Sequence, residues 1–465
     1  MHLDDTIVAI ATPPGRGGIG VVRLSGPEAR AIALPLLRLA HGNELEPGRA
    51  RFGELIDSKT GERIDEVVVT YFAKPHSYTT DDVVEISCHG SPVVLRHVVE
   101  MAIAAGARLA EPGEFTMRAF LNGRIDLTQA EAVRDLIESQ TLYQAQVAAR
   151  QLDGALSKRL QPIKQKLVEL IAAMEAGVDF AEDDVSVIPD QQILARIAAI
   201  RTPLEELLAS FAFGKVVHDG LTLAIVGRPN VGKSSLFNRL VERERAIVTA
   251  SPGTTRDLIS ETVAIGGIPV RLVDTAGIRP ALEEAESIGV RKSMEALAEA
   301  DIVQVVRDAS RGAEDPLTGD ELRQDERLLE LVSNRQAIVV WNKIDQAAGS
   351  PSETNGTDHL HPAVTTSALT GYGIEELRAK ILQMAGGDGG AQPESGFLTN
   401  LRQKQLVADA IAALDRATAA VPVRIPHEMI LLDLYSALRP LDDISGATTA
   451  DDILELIFSS FCIGK

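Results

Sequence analysis

The first 120 or so residues carry short apolar runs that are separated by glycine, proline and aspartate. Runs such as GIGVVRLSG, EVVVTYFA and DVVEISCHG are rich in β-branched residues and have the length of strands. They lead into VVLRHVVEMAIAAG, in which apolar residues recur at helical spacing. This pattern predicts an α+β domain.

From about residue 126 to 219 the apolar positions follow a helical period instead. Leucine, isoleucine and alanine recur three and four positions apart in LTQAEAVRDLIESQ, IKQKLVELIAAMEAGV and QILARIAAIRTPLEELLASF. The β-branched alternation of the first region is absent here. A helical region is therefore predicted.

The pattern changes again at residue 221, where apolar runs alternate with segments of helix length. The runs LTLAIVG, VRLVDTAG, DIVQVVRDAS and AIVVWNKID predict βα units around a largely parallel, buried sheet. After the break AGGDGGAQPESG, the last stretch of about 70 residues is again helical and is small to fold alone. We therefore predict that it packs on the first helical region, with domains at 1–122, 123–219, 220–385 and 386–465.

Composition is that of an ordinary globular protein and limits the partners. Of 465 residues, 45% are hydrophobic and 24% are charged, and the net charge of −20 disfavours direct binding to nucleic acid or an anionic membrane. Two cysteines, Cys88 and Cys462, are too few for a disulfide framework or a four-cysteine zinc site, and Cys88 is expected in the core. No apolar run is long enough for a membrane span, and we expect a cytoplasmic protein.

The segment GRPNVGKSS (227–235) fits the phosphate-binding pattern G-x-x-x-x-G-K-[ST] between a predicted strand and a predicted helix. Gly227 and Gly232 let backbone N–H groups surround phosphates at a helix N-terminus. Lys233 supplies positive charge to the β and γ phosphates, and the Ser234 hydroxyl suits Mg²⁺. The alternative is a glycine-rich connecting turn, which would not require this context.

Three further segments favour GTP over ATP. DTAG (274–277) ends a strand where its aspartate can reach the Mg²⁺ shell and its glycine N–H can face the γ-phosphate. NKID (342–345) ends another strand, and Asp345 can accept hydrogen bonds from the N1 and N2 edge that guanine has and adenine lacks. Ser367-Ala368-Leu369 follows where a loop can present a backbone N–H to the guanine oxygen. Each segment alone is compatible with a turn, but their order predicts a GTP site.

The predicted switch regions lack the glutamine that usually orients water. GTTRD (253–257) offers the hydroxyls of Thr254 and Thr255 for metal ions, although by itself it is a polar loop. Ile278 follows DTAG where Ras-like switches place a glutamine, and an aliphatic side chain cannot orient water. Hydrolysis therefore needs another group. The nearby candidates, each of which also suits a solvated helix face, are Arg279, Glu283, Glu284 and Glu286.

The chain resembles the tRNA modification GTPase family that acts on the wobble uridine (tRNA uridine 5-carboxymethylaminomethyl modification GTPases). Beside the GTPase motifs, the resemblance is carried by DTIVAIATPPGRGGIGVVRLSG, SYTTDDVVEISCHGSP, RLAEPGEFTMRAFLNGRIDLTQAEAVRDLI and the terminal FCIGK, so it spans nearly the whole chain. It implies an N-terminal α+β domain for folate binding and dimerisation. It also implies a central helical domain that is interrupted by a Ras-like P-loop GTPase domain.

The resemblance further implies hydrolysis in which K⁺ takes the place of an arginine finger. The side-chain K⁺ ligand is matched by Asn230, and the loop that wraps the ion is matched by Thr249, Ser251 and Thr254. Potassium would then offset charge between the phosphates.

Further roles follow from the same resemblance. Ser234 and Thr255 match the Mg²⁺ ligands, and Glu286 matches the acid that orients the attacking water through an intermediate water. The GTP-binding residues are expected to be Asn230, Val231, Gly232, Lys233, Ser234, Ser235, Thr249, Ala250, Ser251, Pro252, Gly253, Thr254, Thr255, Asp274, Thr275, Ala276, Gly277, Asn342, Lys343, Asp345, Ser367 and Ala368.

A folate site of the 5-formyltetrahydrofolate type is implied by the positions that match Arg23, Glu85, Arg124 and Lys465. Arginine and lysine suit the glutamate carboxylates of folate, and a glutamate can accept from a pterin N–H edge. Without the resemblance, surface ion pairing is the favoured interpretation of Arg23, Glu85 and Arg124. Cys462 matches the terminal cysteine of the family, and a catalytic, a redox-active and a merely buried thiol all remain open.

The resulting hypothesis is a potassium-activated GTPase that acts with an FAD-dependent partner in a heterotetramer. It would add a carboxymethylaminomethyl or aminomethyl group to carbon 5 of uridine 34 in certain tRNAs, with tRNA contacted mainly through the partner. Two alternatives are a GTP-dependent assembly or regulatory switch without modification chemistry, and a folate sensor. An assembly factor would need a basic RNA-binding module, which the charge distribution does not favour.

Overall fold

The computed structural model describes residues 4–42, 44–179, 188–242, 259–274, 298–310, 318–347, 361–386, 396–447, 457–458, 461 and 464. The chain divides into two compact units. One comprises Met1–Arg134, Gln151–Lys158 and Leu438–Lys465, and the other Asp135–Arg150 and Arg159–Ala437. Within the described residues, no helix has both the length and the apolar character needed to cross a bilayer.

The first unit contains a seven-stranded sheet. Its strands are β1 (Ile7–Ile10), β2 (Gly17–Ser25), β3 (Leu37–Leu39), β4 (Ala50–Ile56), β5 (Arg63–Phe72), β6 (Val83–Gly90) and β7 (Arg108–Leu109). They lie in the order β3-β4-β5-β6-β2-β1-β7, and all neighbours are antiparallel except β1 and β7. Alternate residues of the central strands, such as Val22, Leu24, Val84 and Ile86, enter the core.

Two helices, α1 (Ala29–Ala33) and α2 (Pro92–Ala104), cover one face of this sheet. Helices α3 (Glu114–Leu121) and α4 (Leu127–Glu138) follow along the chain, and Phe115 of α3 packs with Ile7 and Ala9 of β1 in a separate cluster. Leu95, Val98 and Ala102 of α2 share one hydrophobic cluster with the strands. Their three- and four-residue spacing is the helical period that the sequence predicted, so the α+β expectation is confirmed for this unit.

The region predicted to be helical is built from four further helices after α4. They are α5 (Leu142–Leu152), α6 (Ala155–Asp179), α7 (Asp190–Ala209) and α8 (Phe211–Asp219). Near the C-terminus lie two long helices, α12 (Leu401–Ala420) and α13 (His427–Ser445). Helix α12 packs on α7, where Arg201 Nε donates to Asp415 Oδ1 at 2.7 Å. The C-terminal helices therefore contact the first helical region, as the pattern predicts.

A six-stranded sheet lies between these helical regions in the chain. Its strands are β8 (Leu221–Val226), β9 (Ile259–Ile265), β10 (Ile268–Asp274), β11 (Ile302–Asp308), β12 (Ala337–Asn342) and β13 (Ala363–Thr365), and its helices are α9 (Lys233–Val241), α10 (Gly319–Val332) and α11 (Ile374–Met384). The order is β13-β12-β11-β8-β10-β9, and only β9 runs antiparallel to its neighbour. The carboxyl ends of β8, β10 and β12 therefore meet at one edge.

His218, near the end of α8, contacts Asp135 within the second unit. Its Nε2 donates to Asp135 Oδ1 at 3.0 Å, and its Nδ1 donates to Asp219 Oδ1 at 2.7 Å. The hydrogen bond to Asp135 is the main reason why the pKa of His218 is raised to about 9, while burial opposes the shift. The imidazolium form is thus held in the folded chain.

This pairing predicts a pH-dependent stability. The pKa of His218 is higher in the folded chain than in the unfolded chain. The ion pair therefore contributes fully to the free energy of unfolding below about pH 6.5, and this contribution is lost as the pH rises through 9. We expect His218→Gln to lower the thermal midpoint at pH 6 by an amount that shrinks towards pH 9. Scanning fluorimetry at both pH values measures it, with His427→Gln, which changes the first residue of α13, as control. If His218→Gln lowered the thermal midpoint equally at pH 6 and pH 9, the assigned role of the charged His218 would be contradicted.

Candidate functional site

The loop between β8 and α9 turns sharply at the carboxyl edge of the parallel sheet. Gly227, Asn230 and Gly232 have positive φ angles of 153°, 64° and 96°. At Gly232 a Cβ atom would lie 2.3 Å from Asn342 Nδ2, so glycine is also required by space. Gly232 caps α9, and the unpaired N–H groups at the start of that helix face the loop. The sequence motif thus has the backbone that binds a phosphate.

Lys233 is the first residue of α9 and is buried. Its ammonium donates to the carbonyl oxygens of Gly227 and Arg228, both at 2.8 Å. Burial lowers the pKa of Lys233, and Asp274 opposes that change. The cation is therefore held within the loop, where its attraction for a phosphate is little screened by water.

Ser234 and Asp274 bring two oxygen donors together beside the loop. Ser234 Oγ donates to Asp274 Oδ2 at 3.0 Å, and Asp274 is buried at the end of β10. Hydroxyl and carboxylate oxygens are ligands that Mg²⁺ prefers. The pair therefore fits a magnesium site, and Ser235 follows on the exposed side of α9.

Asn342 connects the phosphate loop with the loop after β13. Its Nδ2 donates to the Val231 carbonyl at 3.1 Å, while its Oδ1 accepts from the Ala368 N–H at 3.0 Å and from the Thr366 hydroxyl at 3.4 Å. Because the amide is buried, these bonds fix the spacing of the two loops.

Asp345 and Lys343 lie just beyond β12. The Ser367 hydroxyl donates to Asp345 Oδ1, which lies in a 3₁₀ turn, Ile344–Gln346. Lys343 has a φ of 68°, and its ammonium donates to Asp308 Oδ2 at 2.7 Å. The predicted base-recognition residues are thus gathered at one edge of the sheet. Within the Ser367-Ala368-Leu369 segment, the Ala368 N–H donates to Asn342 Oδ1 in this structure.

Arg228 is a residue of this loop that was not predicted to have a role. Its buried guanidinium binds two acids of α10, with 2.8 Å from Nε to Asp325 Oδ1 and 2.7 Å from a terminal nitrogen to Glu321 Oε1. Arg307 also approaches Asp325, at 3.4 Å. Arg228 occupies a variable position of the phosphate-loop pattern, where any side chain is allowed. Its ion pairs with residues far along the chain could therefore not be predicted from the pattern.

Several expected site residues lie outside the described residues. They are the proposed catalytic Glu286, the switch residues Thr249, Ala250, Ser251, Pro252, Gly253, Thr254, Thr255, Thr275, Ala276 and Gly277, and the C-terminal Cys462 and Lys465.

A second candidate site is a cavity of about 400 Å³ in the first unit. Two of the predicted folate residues, Glu85 and Arg124, line it together with Phe72, Pro75, His76, Ser77, Tyr78 and Val83. Arg23 reaches the same place through Glu85 Oε1, with 2.9 Å from Nε and 2.7 Å from a terminal nitrogen. The structure therefore brings three of the four predicted residues together, and it also contains the ion pair of the alternative interpretation.

Tyr78 lies at the centre of this group, although sequence reasoning did not select it. The guanidinium carbons of Arg23 and Arg124 lie 5.5 and 5.0 Å from its ring centroid. Its hydroxyl is 2.9 Å from the Thr116 hydroxyl on α3, and its carbonyl accepts from Arg124 at 2.7 Å. Tyr78 thus holds both arginines beside the cavity.

Helix α3 is fixed by a buried ion network. Glu114 and Arg118 are each 1% exposed and are joined at 2.8 Å, and Arg108 and Asp5 complete the network. Burial by itself raises the pKa of Glu114, but hydrogen bonds from Arg108 and Arg118 outweigh it and leave the pKa lowered. The carboxylate therefore stays ionised and holds α3, which carries Thr116.

Gly464, near the C-terminus of the chain, lies against the end of β1 in the first unit. A Cβ atom at Gly464 would lie 2.3 Å from the Ile10 carbonyl oxygen, so the chain passes very close there. Phe458 and Phe461 are buried nearby in sequence, with ring centroids 5.5 Å apart.

Cys88 is buried as expected, and burial, with Asp65, raises its pKa to about 12. Its thiol is therefore unreactive at neutral pH.

Comparison with known proteins gives matches along the whole chain. A family model described as the GTP-binding protein TrmE N-terminus matches residues 6–124, and one described as the MnmE helical domain matches residues 127–462. The chain is 70% identical over 466 residues to a tRNA modification GTPase MnmE of Koribacter versatilis, with 100% of both chains covered. The corresponding protein of Aquifex aeolicus is 43% identical over 462 residues, covering 99% of this chain and 100% of that one.

Among solved structures, the chain is similar to the G domain of the T. maritima FeoB iron transporter. The two are 28% identical over 36% of this chain and 98% of that chain, with a TM-score of 0.27. The predicted fold class, an N-terminal α+β domain and a helical domain interrupted by a Ras-like GTPase domain, is confirmed. Full-length identity and both family models show that the chain belongs to the tRNA modification GTPase MnmE family.

Proposed function

We propose that this tRNA modification GTPase acts on carbon 5 of the wobble uridine, at position 34 of certain tRNAs. With an FAD-dependent partner it adds a carboxymethylaminomethyl or aminomethyl group, and a 5-formyltetrahydrofolate-type molecule supplies one carbon. The observation that carries the proposal is the cavity lined by Glu85, Tyr78 and Arg124, in a chain that also has a GTP-binding loop.

The GTPase half of the proposal assigns a task to each described residue of the phosphate loop. Lys233 binds the β and γ phosphates, and the backbone N–H groups from Asn230 to Ser235 surround them. When bound, Mg²⁺ and K⁺ supply positive charge to the phosphates. Ser234 and Thr255 would hold Mg²⁺, and the K⁺ ligands would be Asn230, Thr249, Ser251 and Thr254.

Asn230 is suited to bind K⁺ because its side chain carries an amide oxygen and is exposed at the rim of the loop. Its backbone has a φ of 64°. Asp274 orients Ser234 through their 3.0 Å hydrogen bond. Glu286 is proposed to orient the attacking water through a second water, because Ile278 cannot do so.

Potassium dependence is the first test. We expect GTP turnover to be at least about tenfold faster in KCl than in NaCl of equal ionic strength, because K⁺ replaces an arginine finger. Asn230→Ala should lose this dependence and Glu286→Ala should lose turnover, while Asn238→Ala, an exposed asparagine of α9, should keep both. Equal wild-type rates in the two salts, measured across a dilution series of the protein, would overturn the potassium assignment.

The one-carbon half assigns the cavity of the first unit to folate. Arg23, Arg124 and Lys465 would pair with the glutamate carboxylates, and Glu85 would accept from the pterin N–H edge. Since Arg23 already binds Glu85 Oε1, the position of the carboxylate is fixed before a ligand arrives. Tyr78 offers an aromatic surface beside both arginines.

Binding of 5-formyltetrahydrofolate tests this assignment. We expect Arg124→Ala and Glu85→Gln each to raise its dissociation constant about tenfold, because each removes one charged hydrogen-bonding group. Isothermal titration calorimetry measures the constant, and Arg63→Ala is the control because Arg63 pairs with Glu54 and Glu66 on the exposed sheet. Unchanged affinity in both variants would exclude this cavity as the folate site.

The partners complete the proposal. We propose a cytoplasmic homodimer joined through the N-terminal domain, which forms a heterotetramer with the FAD-dependent partner. The net charge of −20 supports tRNA contact mainly through that partner. The proposed domain limits are 1–122, 123–219, 220–385 and 386–465.

A further inference from the structure

An arginine in the last turn of α9 reaches the loop that follows β13. We define the base loop as residues 367–372. Arg239 Nε donates to the Ala368 carbonyl at 2.9 Å, and a terminal nitrogen of the same guanidinium donates to the Leu369 carbonyl. Its other terminal nitrogen binds Glu242 at 3.1 Å. One planar side chain therefore holds two consecutive carbonyls of the base loop.

The inner side of the base loop is held by different groups. The Ala368 N–H donates to Asn342, and the Ser367 hydroxyl donates to Asp345 while it accepts from the Thr370 N–H at 3.1 Å. These bonds fix the N–H side of Ala368, and Arg239 fixes its carbonyl side. The peptide planes on either side of Ala368 are thus set by two separate anchors.

Of the apolar side chains of this loop, Ala368 packs against the core of the parallel sheet, but the two larger ones do not. Leu369 is 75% exposed and Tyr372 is 59% exposed, so neither side chain anchors the loop in the core. Gly371 has a φ of 87°, and a Cβ atom built there would lie 4.0 Å from Arg239 Cζ, so the guanidinium lies under the turn. The orientation of the loop therefore depends on hydrogen bonds, and those from Arg239 are charge-assisted.

We propose that Arg239 is a positioning residue for guanine recognition. It acts through the base loop by holding Ser367 and Ala368 where Asp345 and the loop N–H groups can read the base. This inference rests on the proposed base site at Asp345, Ser367 and Ala368.

Helix α9 carries both Lys233 of the phosphate loop and Arg239, which holds the base loop. Lys233 begins the same helix, and six residues of helix span about 9 Å. A single rigid helix therefore carries the phosphate-binding lysine at one end and holds the base loop at the other. The distance between the phosphate and base subsites is set by α9 together with the Asn342 link.

The experiment compares nucleotide affinities of the full-length protein with Mg²⁺ and K⁺ present. GDP and ADP binding are measured by calorimetry or by displacement of a fluorescent nucleotide, and steady-state GTP hydrolysis gives kcat and KM. The variants are Arg239→Ala, Arg239→Lys, which keeps the charge but not the two-pronged donor, and the control Glu242→Ala. Glu242 binds Arg239 at the surface but does not touch the base loop in any contact described above.

If the oriented loop falls to about a tenth of the population in Arg239→Ala, the dissociation constant for GDP rises about tenfold. The constant for ADP stays within about twofold, since adenine does not use the loop, and kcat at saturating GTP is retained while KM rises. Arg239→Lys should resemble Arg239→Ala in its lost preference for GDP, and Glu242→Ala should resemble the wild type.

Two results would overturn the proposal: wild-type GDP affinity in Arg239→Ala, or an equal loss of GDP and ADP affinity, which would indicate general loosening of α9. Equal wild-type affinity for GDP and ADP is a separate failure, because it would contradict the proposed base site itself.

Discussion

Replacing Lys233 by alanine is expected to lower kcat/KM for GTP hydrolysis about a thousandfold. The ammonium is buried in the phosphate loop and is held by the Gly227 and Arg228 carbonyls. Its charge therefore acts where water screens little, and alanine leaves those carbonyls facing the phosphates. Phosphate release under steady-state conditions measures the loss.

The control for this variant is Lys215→Ala. Lys215 is an exposed lysine of α8 in the same compact unit, so its loss changes the net charge equally. Turnover by Lys233→Ala within about tenfold of wild type would contradict the assigned role, provided that circular dichroism shows the variant folded.

The second large effect is a change in base preference. Asp345→Asn is expected to weaken GTP binding about a thousandfold, because the amide presents a donor to the N1 and N2 donors of guanine. Xanthine carries an oxygen at position 2 that can accept from this amide, so affinity for XTP should rise. The Ser367 hydroxyl, which donates to Asp345 Oδ1, can still donate to the amide oxygen and keep the turn in place.

Competition between GTP and XTP for the full-length protein measures this change. Asp320→Asn on α10 is the matched control, because its side chain is 82% exposed and pairs only with Arg323 in the described contacts. An Asp345→Asn variant that still prefers GTP would show that the base is read elsewhere.

The phosphate loop could be predicted from the sequence because its determinants are local. Gly227, Gly232 and Lys233 act through backbone conformation and chain position, and the flanking apolar runs identify the strand and the helix. The parallel sheet was predictable for the same reason, since buried strands and helices alternate along the chain.

Side-chain partners far apart in sequence could not be predicted in this way. Arg228 pairs with Asp325 across 97 residues, and Arg239 reaches Ala368 across 129 residues. No spacing rule connects such positions, because their contact depends on how the strands are ordered. Tyr78 was missed likewise, since its place between Arg23 and Arg124 exists only after β2, β6 and α3 have come together.

The order of the N-terminal sheet illustrates the same limit. The pattern predicts its strands, but β2 lies between β1 and β6, and the short β7 pairs with β1 across 100 or so residues. The resemblance to a known family supplied the predicted folate residues, and the structure places Arg23, Glu85 and Arg124 at one cavity. Neither the cavity nor its central tyrosine followed from residue types alone.

We propose that GTP hydrolysis at the Lys233 site is required for modification of uridine 34. The most direct test is nucleoside analysis by mass spectrometry of tRNA from cells that lack this protein and are complemented with wild type, Lys215→Ala or Lys233→Ala. We predict that wild type and Lys215→Ala restore the group at carbon 5 and that Lys233→Ala, expressed at the same level, restores none. Full modification with Lys233→Ala would contradict the claim.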